Sequence, residues 1–242
     1  MNIFITGTDT GIGKTMVTAG IAAVMQGLGY KTSVYKPVQS GCILEEDKLI
    51  PPDLNFVNFI DSNITVGSTY NLMHPVAPAL AAMLENVRIN KNDIVRDYKE
   101  LCKRSDFVLV EGAGGLLVPV YQDFLICDLI KLLDLSLVIV ARPDLGTINH
   151  TLLTIESAKN RGINVSGVII SNYPKDTDDI SIKAAPGMIN ELSGVKILGI
   201  LPHIDLEETD SGFPDQLIEE VINNINIQKI FNVNIPKLSY SL

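Results

Sequence analysis

The chain has 242 residues, 46% of them apolar, and a formal net charge of -9. That length suits one α/β domain built around a fully buried sheet and argues against a second independent domain. The acidic balance speaks against non-specific attraction to nucleic acid or anionic lipid, so small metabolites are the expected partners.

The chain opens on NIFIT (2 to 6), an apolar run followed at once by a glycine turn. It reads as a first strand, with neither the basic segment nor the cleavage site of a targeting sequence. Further strands are expected at TSVYK (32 to 36), DFVLVE (106 to 111), LSLVIVA (135 to 141), NVSGVII (164 to 170) and VKILGIL (195 to 201). Helical spacing appears in TMVTAGIAAVMQGL (15 to 28), PALAAMLENV (78 to 87), NDIVRDYKELCKR (92 to 104) and TLLTIESAKNR (151 to 161). Residues 42 to 77 read as a long connection over the site with a short helix through LNFVNFI, and the tail from about 214 reads as one helix and a loose end.

Continuous apolar strands alternating with helices imply a mostly parallel central sheet covered on both faces, in a single domain; with the glycine-rich GTDTGIGKT directly after the first strand, this is a fold of the P-loop NTPase type. No apolar run reaches the roughly 18 residues of a membrane span. Cys42, Cys102 and Cys127 make no C-x-x-C pair and suit free, buried thiols. The expectation is a soluble cytoplasmic protein that engages neither nucleic acid nor membrane.

Every distinctive polar cluster falls at a strand's carboxyl end, where ligands gather in such sheets. GTDTGIGKT follows the first strand, PVQSG the second, GAGG the third and RPDLGTINH the fourth. A phosphate-binding loop has the form G-x-x-x-x-G-K-[ST]. Here Gly13-Lys14-Thr15 is intact, but the leading glycine stands one residue early, at Gly7, with Thr8 in its formal place. Strand before, helix after and glycines at 11 and 13 supply the context, with the helix N-terminus aimed at the anion. A dinucleotide fingerprint fails, because its third glycine would fall on Met16 counting from Gly11, or on Leu117 counting from Gly112.

Such a loop calls for a metal-binding acid on a nearby strand, and Glu111 closes DFVLVE where one would stand. With Thr15 and Asp53 it makes an oxygen set suited to Mg²⁺. Lys36 closes the second strand; with consecutive strands as neighbours it would lie beside the phosphate loop, able to hold charge on a transferring phosphoryl group. His74, His150 and His203 are scattered and show no metalloprotease spacing; His74 reads as structural, the other two as adjacent to the site by position.

With GTDTGIGKT, YKPVQSG, VEGAGG and LGTINH in this order, the chain resembles the dethiobiotin synthetases over roughly residues 1 to 205. The resemblance implies an ATP- and Mg²⁺-dependent ligase that closes the ureido ring of dethiobiotin from 7,8-diaminononanoate and CO2, in biotin biosynthesis. It implies phosphate contacts from Gly11, Ile12, Gly13, Lys14, Thr15 and Met16, joined by Gly112, Ala113 and Gly114. Lys14 and Lys36 would meet carbamate and phosphoryl oxygens, with Thr10 and Ser40 on the substrate amines and carbamate. Thr15, Asp53 and Glu111 would hold Mg²⁺. The segments SNYP and LPHI would receive adenine through Asn172, Tyr173 and the backbone of Pro202, His203 and Ile204. Leu145, Gly146, Thr147 and Asn149 would anchor the substrate's far carboxylate, across the interface of a homodimer with shared sites. Some family members carry an acid at the position of Gly11, a side chain that this chain lacks.

Two other classes compete. Chromosome-partitioning and division-site ATPases share the fold class and act as nucleotide switches, but usually carry a lysine where this chain has Asp9. Cobyrinate-type amidating synthetases draw ammonia from a glutaminase domain, for which there is no room here.

Overall fold

The computed structural model describes residues 2–205, 207, 210–231 and 233. Among them, seven strands form the central sheet: β1 (Ile3–Gly7), β2 (Thr32–Tyr35), β3 (Thr65–Gly67), β4 (Phe107–Gly115), β5 (Ser136–Ala141), β6 (Val165–Tyr173) and β7 (Ile197–Pro202). Their order is β7-β6-β5-β1-β4-β2-β3, and every pairing is parallel. The helices are α1 (Lys14–Gly27), α2 (Pro52–Ile60), α3 (Pro78–Leu84), α4 (Lys91–Arg104), α5 (Ile126–Leu133), α6 (Thr147–Asn160), α7 (Ile180–Ser193), α8 (Phe213–Asn224) and α9 (Ile227–Phe231).

The strands are apolar on both faces because both faces are covered. In β5, Leu137, Ile139 and Ala141 join the core beneath α3, α4, α5, α6 and α7. Val138 and Val140 of the same strand point the other way, into the core beneath α1, α2, α8 and α9. Ile3 and Ile5 against Phe4 divide β1 in the same manner. This two-residue alternation accounts for runs that look uniformly hydrophobic in sequence.

Several elements differ from expectation, among them α9, a second helix in a tail expected to hold one. The connection over residues 42–77 contains the edge strand β3, whose three residues are too few to show a period, and an exposed hairpin pairing Ile43–Glu45 with Lys48–Ile50. Pairing in β4 runs on through GAGG, with Gly7 opposite Gly115, so these glycines belong to the strand rather than to a loop beyond it. Helix α7 buries only Ala185 and Ile189 and contains Pro186, so it has neither an apolar stripe nor an uninterrupted backbone to announce it.

Candidate active site

The phosphate loop leaves β1 and enters α1. Gly11 and Gly13 have φ of +71° and +86°, the left-handed region that favours glycine. A Cβ on Gly13 would also stand 2.4 Å from the buried Ser171 hydroxyl of β6. The early glycine has its own reason: a Cβ at Gly7 would come within 2.7 Å of the Asp9 carbonyl oxygen and 2.8 Å of Ile12 Cδ1. Close approach of the loop to itself therefore requires glycine at 7 and leaves position 8 free to be threonine. α1 starts on Gly13 with no side-chain cap, so its first-turn N–H groups are offered to an anion.

Lys14 folds back along the loop, donating to the Asp9 carbonyl oxygen at 2.8 Å, and is 7% exposed. Burial pulls its pKa below the ordinary lysine value, against the opposing pull of Glu111. A desolvated ammonium of this kind gains when phosphate charge arrives beside it.

Next to it lies a charge cluster. Glu111, 1% exposed, accepts the Thr15 hydroxyl at 3.0 Å and the Lys36 ammonium at 2.8 Å. Lys36 also donates to Asp53, at the start of α2. Burial alone would lower the Lys36 pKa, but the carboxylates of Glu111 and Asp53 outweigh it and raise the value, so the lysine is held charged. The expected neighbour relation is corrected: β2 does not adjoin β1, because β4 lies between them. Lys36 instead meets Glu111 in the middle of β4, and the same carboxylate also takes the Thr15 hydroxyl at the start of α1. Two carboxylates and a hydroxyl form an all-oxygen donor set of the kind a hard divalent cation takes, and Glu111 already faces Thr15, so Thr15, Asp53 and Glu111 fit Mg²⁺.

These groups line one cleft of about 1120 Å³. Its walls include Thr10 through Met16, Lys36, Ser40, Asp53, Glu111, Ala113 and Gly114, together with Asn172, His203 and Ile204. Gly112 instead lines a small void behind Glu111. Tyr173 and Pro202 pair at the ends of β6 and β7 and carry Asn172 and His203 to the cleft without lining it themselves. Leu145, Gly146, Thr147 and Asn149 stand apart from this cleft at the start of α6, with Leu145 84% exposed and Thr147 buried.

Several lining residues escape a motif reading. Phe56 of α2 and Phe213 of α8 meet edge to face, centroids 6.0 Å apart, and both border the cleft. The C-terminal helix expected near residue 214 is thus part of the site's wall; the loose end expected after it falls largely on residues 234–242, outside the described set. Gln39 and the turn at Pro75–Pro78 complete the opposite side. Arg142 Nη1 stands 3.7 Å from Asp9 Oδ2, tying the phosphate loop to the loop before α6. Gln39 and Arg142 lie within the PVQSG and RPDLGTINH clusters without being singled out there, and LNFVNFI carried Phe56 into the expected short helix.

Comparison with known proteins shows the family. A family described as an AAA domain matches residues 1–209. The ATP-dependent dethiobiotin synthetase BioD of Bacillus thuringiensis is 39% identical over 227 residues, spanning 94% of this chain and 92% of that protein. The same enzyme from Anoxybacillus flavithermus is 43% identical, over 83% of this chain and 91% of its own length. The solved MinD cell division protein of Aquifex aeolicus covers 97% of this chain and 98% of its own at a TM-score of 0.58, but at 16% identity, a likeness of fold alone. Sequence identity of this extent separates the chain from the partitioning and division ATPases whose fold it shares: it belongs to the ATP-dependent dethiobiotin synthetases, an enzyme family of ligases.

Proposed function

We propose that the protein closes the ureido ring of dethiobiotin from 7,8-diaminononanoate, CO2 and ATP by way of a carbamate and a carbamic–phosphoric anhydride. One amine of the substrate captures CO2 as carbamate, and a carbamate oxygen attacks the γ-phosphorus with loss of ADP. The second amine then attacks the carbamate carbon, and phosphate leaves with the oxygen that had joined it to carbon. Phosphorylation converts a poor leaving oxygen into a good one, so the protein's part is positioning and charge neutralisation.

The observation that carries this reading is the convergence of Lys14, Lys36, Thr15, Asp53 and Glu111 on one cleft roomy enough for a nucleotide and a second small molecule. In it Lys14 lies against the β- and γ-phosphate oxygens, while Lys36 leaves its carboxylates for charge developing on the carbamate and transferring phosphoryl oxygens. Thr10 and Ser40 hold the amines and carbamate. Thr15, Asp53 and Glu111 hold Mg²⁺, which when bound neutralises charge on the triphosphate. The phosphates follow Gly11 to Met16 and the Gly112 to Gly114 strand end, and the base lies toward Asn172 and Ile204.

The same reading makes the enzyme a homodimer. A nine-carbon substrate reaches beyond the reacting centre, and Leu145, Gly146, Thr147 and Asn149 lie away from their own chain's cleft at a helix N-terminus that no side chain caps. A partner related by a two-fold axis would bring that anion-binding end to the cleft. The reading places the enzyme in the cytoplasm; its cysteines are free, and among the described residues no helix is long and apolar enough to cross a membrane. Incubating the protein with diaminononanoate, bicarbonate and Mg-ATP tests it: a product of dethiobiotin mass is expected, and phosphate release without that product would favour a nucleotide switch.

A further inference from the structure

The base end of the cleft holds a side-chain pair that phosphate chemistry does not use. Asn172, near the end of β6, has φ of +58°, a left-handed conformation that asparagine tolerates better than most residues. Its Oδ1 is hydrogen-bonded to His203 Nδ1. The two backbones are tied as well, because the His203 N–H donates to the Tyr173 carbonyl oxygen at 2.7 Å. Both residues line the cleft, with Phe56, Phe213 and Met16 forming apolar wall nearby.

A carboxamide oxygen only accepts, so the proton of this bond belongs to His203 Nδ1. The bond takes one lone pair of Oδ1 and fixes which end of the carboxamide is oxygen and which is nitrogen. What remains is an acceptor beside a donor, the complement of the adenine edge with its N6 amine and N7. Guanine presents two acceptors there, O6 and N7, and would set O6 against Oδ1. Without the imidazole the carboxamide can turn over, exchanging donor and acceptor and losing the match to adenine.

We infer that the His203 side chain is a specificity-determining residue for the nucleobase: by holding Asn172 Oδ1 it locks the carboxamide in the orientation that accepts adenine and rejects guanine. This rests on the reading of the cleft as a nucleotide site, and it assigns the imidazole a role distinct from that of the backbone around it.

The test compares wild type, His203→Ala and His203→Gln, using calorimetric Kd for Mg-ATP and Mg-GTP alongside kcat/KM for dethiobiotin formation with each. Since His203 is exposed, its removal leaves the core intact. In His203→Ala the ATP-over-GTP preference should fall about tenfold, through weaker ATP binding with GTP little changed. His203→Gln, whose amide N–H can donate to the same oxygen, should keep most of the preference. An unchanged ratio in His203→Ala, or a wild type that binds both nucleotides equally, overturns the inference. A His203-dependent ATP preference in a protein that makes no dethiobiotin would sustain it while refuting the ring-closure reading.

Discussion

Glu111 Oε1 and Lys36 Nζ stand 2.8 Å apart, with side chains only 1% and 6% exposed. Glu111 lies in β4 and Lys36 directly follows the adjacent β2, so the contact joins β4 to the segment that leads to Ser40. A buried carboxylate needs such a partner, and on the proposed reading this ammonium would be free to meet phosphoryl oxygens once Glu111 held Mg²⁺ instead.

Lys14→Ala and Lys36→Ala should both lose turnover by 10²-fold or more, about 3 kcal/mol of transition-state stabilisation. They should differ in nucleotide affinity. Lys14→Ala weakens ATP binding because its ammonium meets the triphosphate in the ground state, whereas Lys36→Ala acts chiefly on kcat. Calorimetry with Mg-ATP beside steady-state kinetics separates the two. Normal turnover by folded Lys36→Ala would remove the second strand's end from the chemistry.

Glu111→Gln keeps the shape of the side chain and an oxygen for Thr15, while Lys36 retains Asp53. The expected outcome is a several-fold higher Mg²⁺ requirement with a melting temperature only a few degrees lower, since a neutral oxygen is a weaker ligand for a hard cation. Activity titrated against Mg²⁺, with a thermal melt in parallel, measures both. An unfolded variant with an unchanged Mg²⁺ requirement in its active remainder would make Glu111 purely structural.

The proposed shared site is open to complementation. Thr147 is 2% exposed, so a glutamate there would bury a charge and confuse blocking with unfolding; Asn149, on the exposed side of the same turn, is the better position. Asn149→Glu sets a carboxylate in the anchor for the substrate's far end, and Lys36→Ala disables the reacting end. Each alone should be nearly inactive. Co-expressed at random, about half of the dimers are mixed and one of their two sites is intact, so roughly a quarter of normal activity should return. Proven heterodimers without recovery would mean that each site lies within one chain.

The strands and most of the candidate cleft were legible for the same reason: a buried parallel sheet writes long β-branched runs, and β1, β2, β4, β6 and β7 each lead into residues that line the cleft, whereas the residues after β5 stand apart from it. Gly7, Gly11 and Gly13 announced the loop because only glycine fits its left-handed and close-packed positions. Lys36 was found for a partly wrong reason, since strand order is a long-range property and β4 inserts between β1 and β2. β3 and α7 were invisible, one too short for a period and the other carrying Pro186 with only Ala185 and Ile189 buried. Phe56 and Phe213 reach the cleft through tertiary packing, which no local pattern encodes.

The central claim is that a carbamate oxygen attacks the γ-phosphate, and oxygen tracing tests it most directly. In a rapid single turnover with ¹⁸O-labelled bicarbonate, diaminononanoate and Mg-ATP, the phosphate released should carry one ¹⁸O from the label, because the bridging oxygen leaves with phosphorus when the second amine closes the ring. Phosphate that takes its new oxygen from the solvent, in a reaction started before bicarbonate and water have exchanged, would show that water is the nucleophile and would contradict the account.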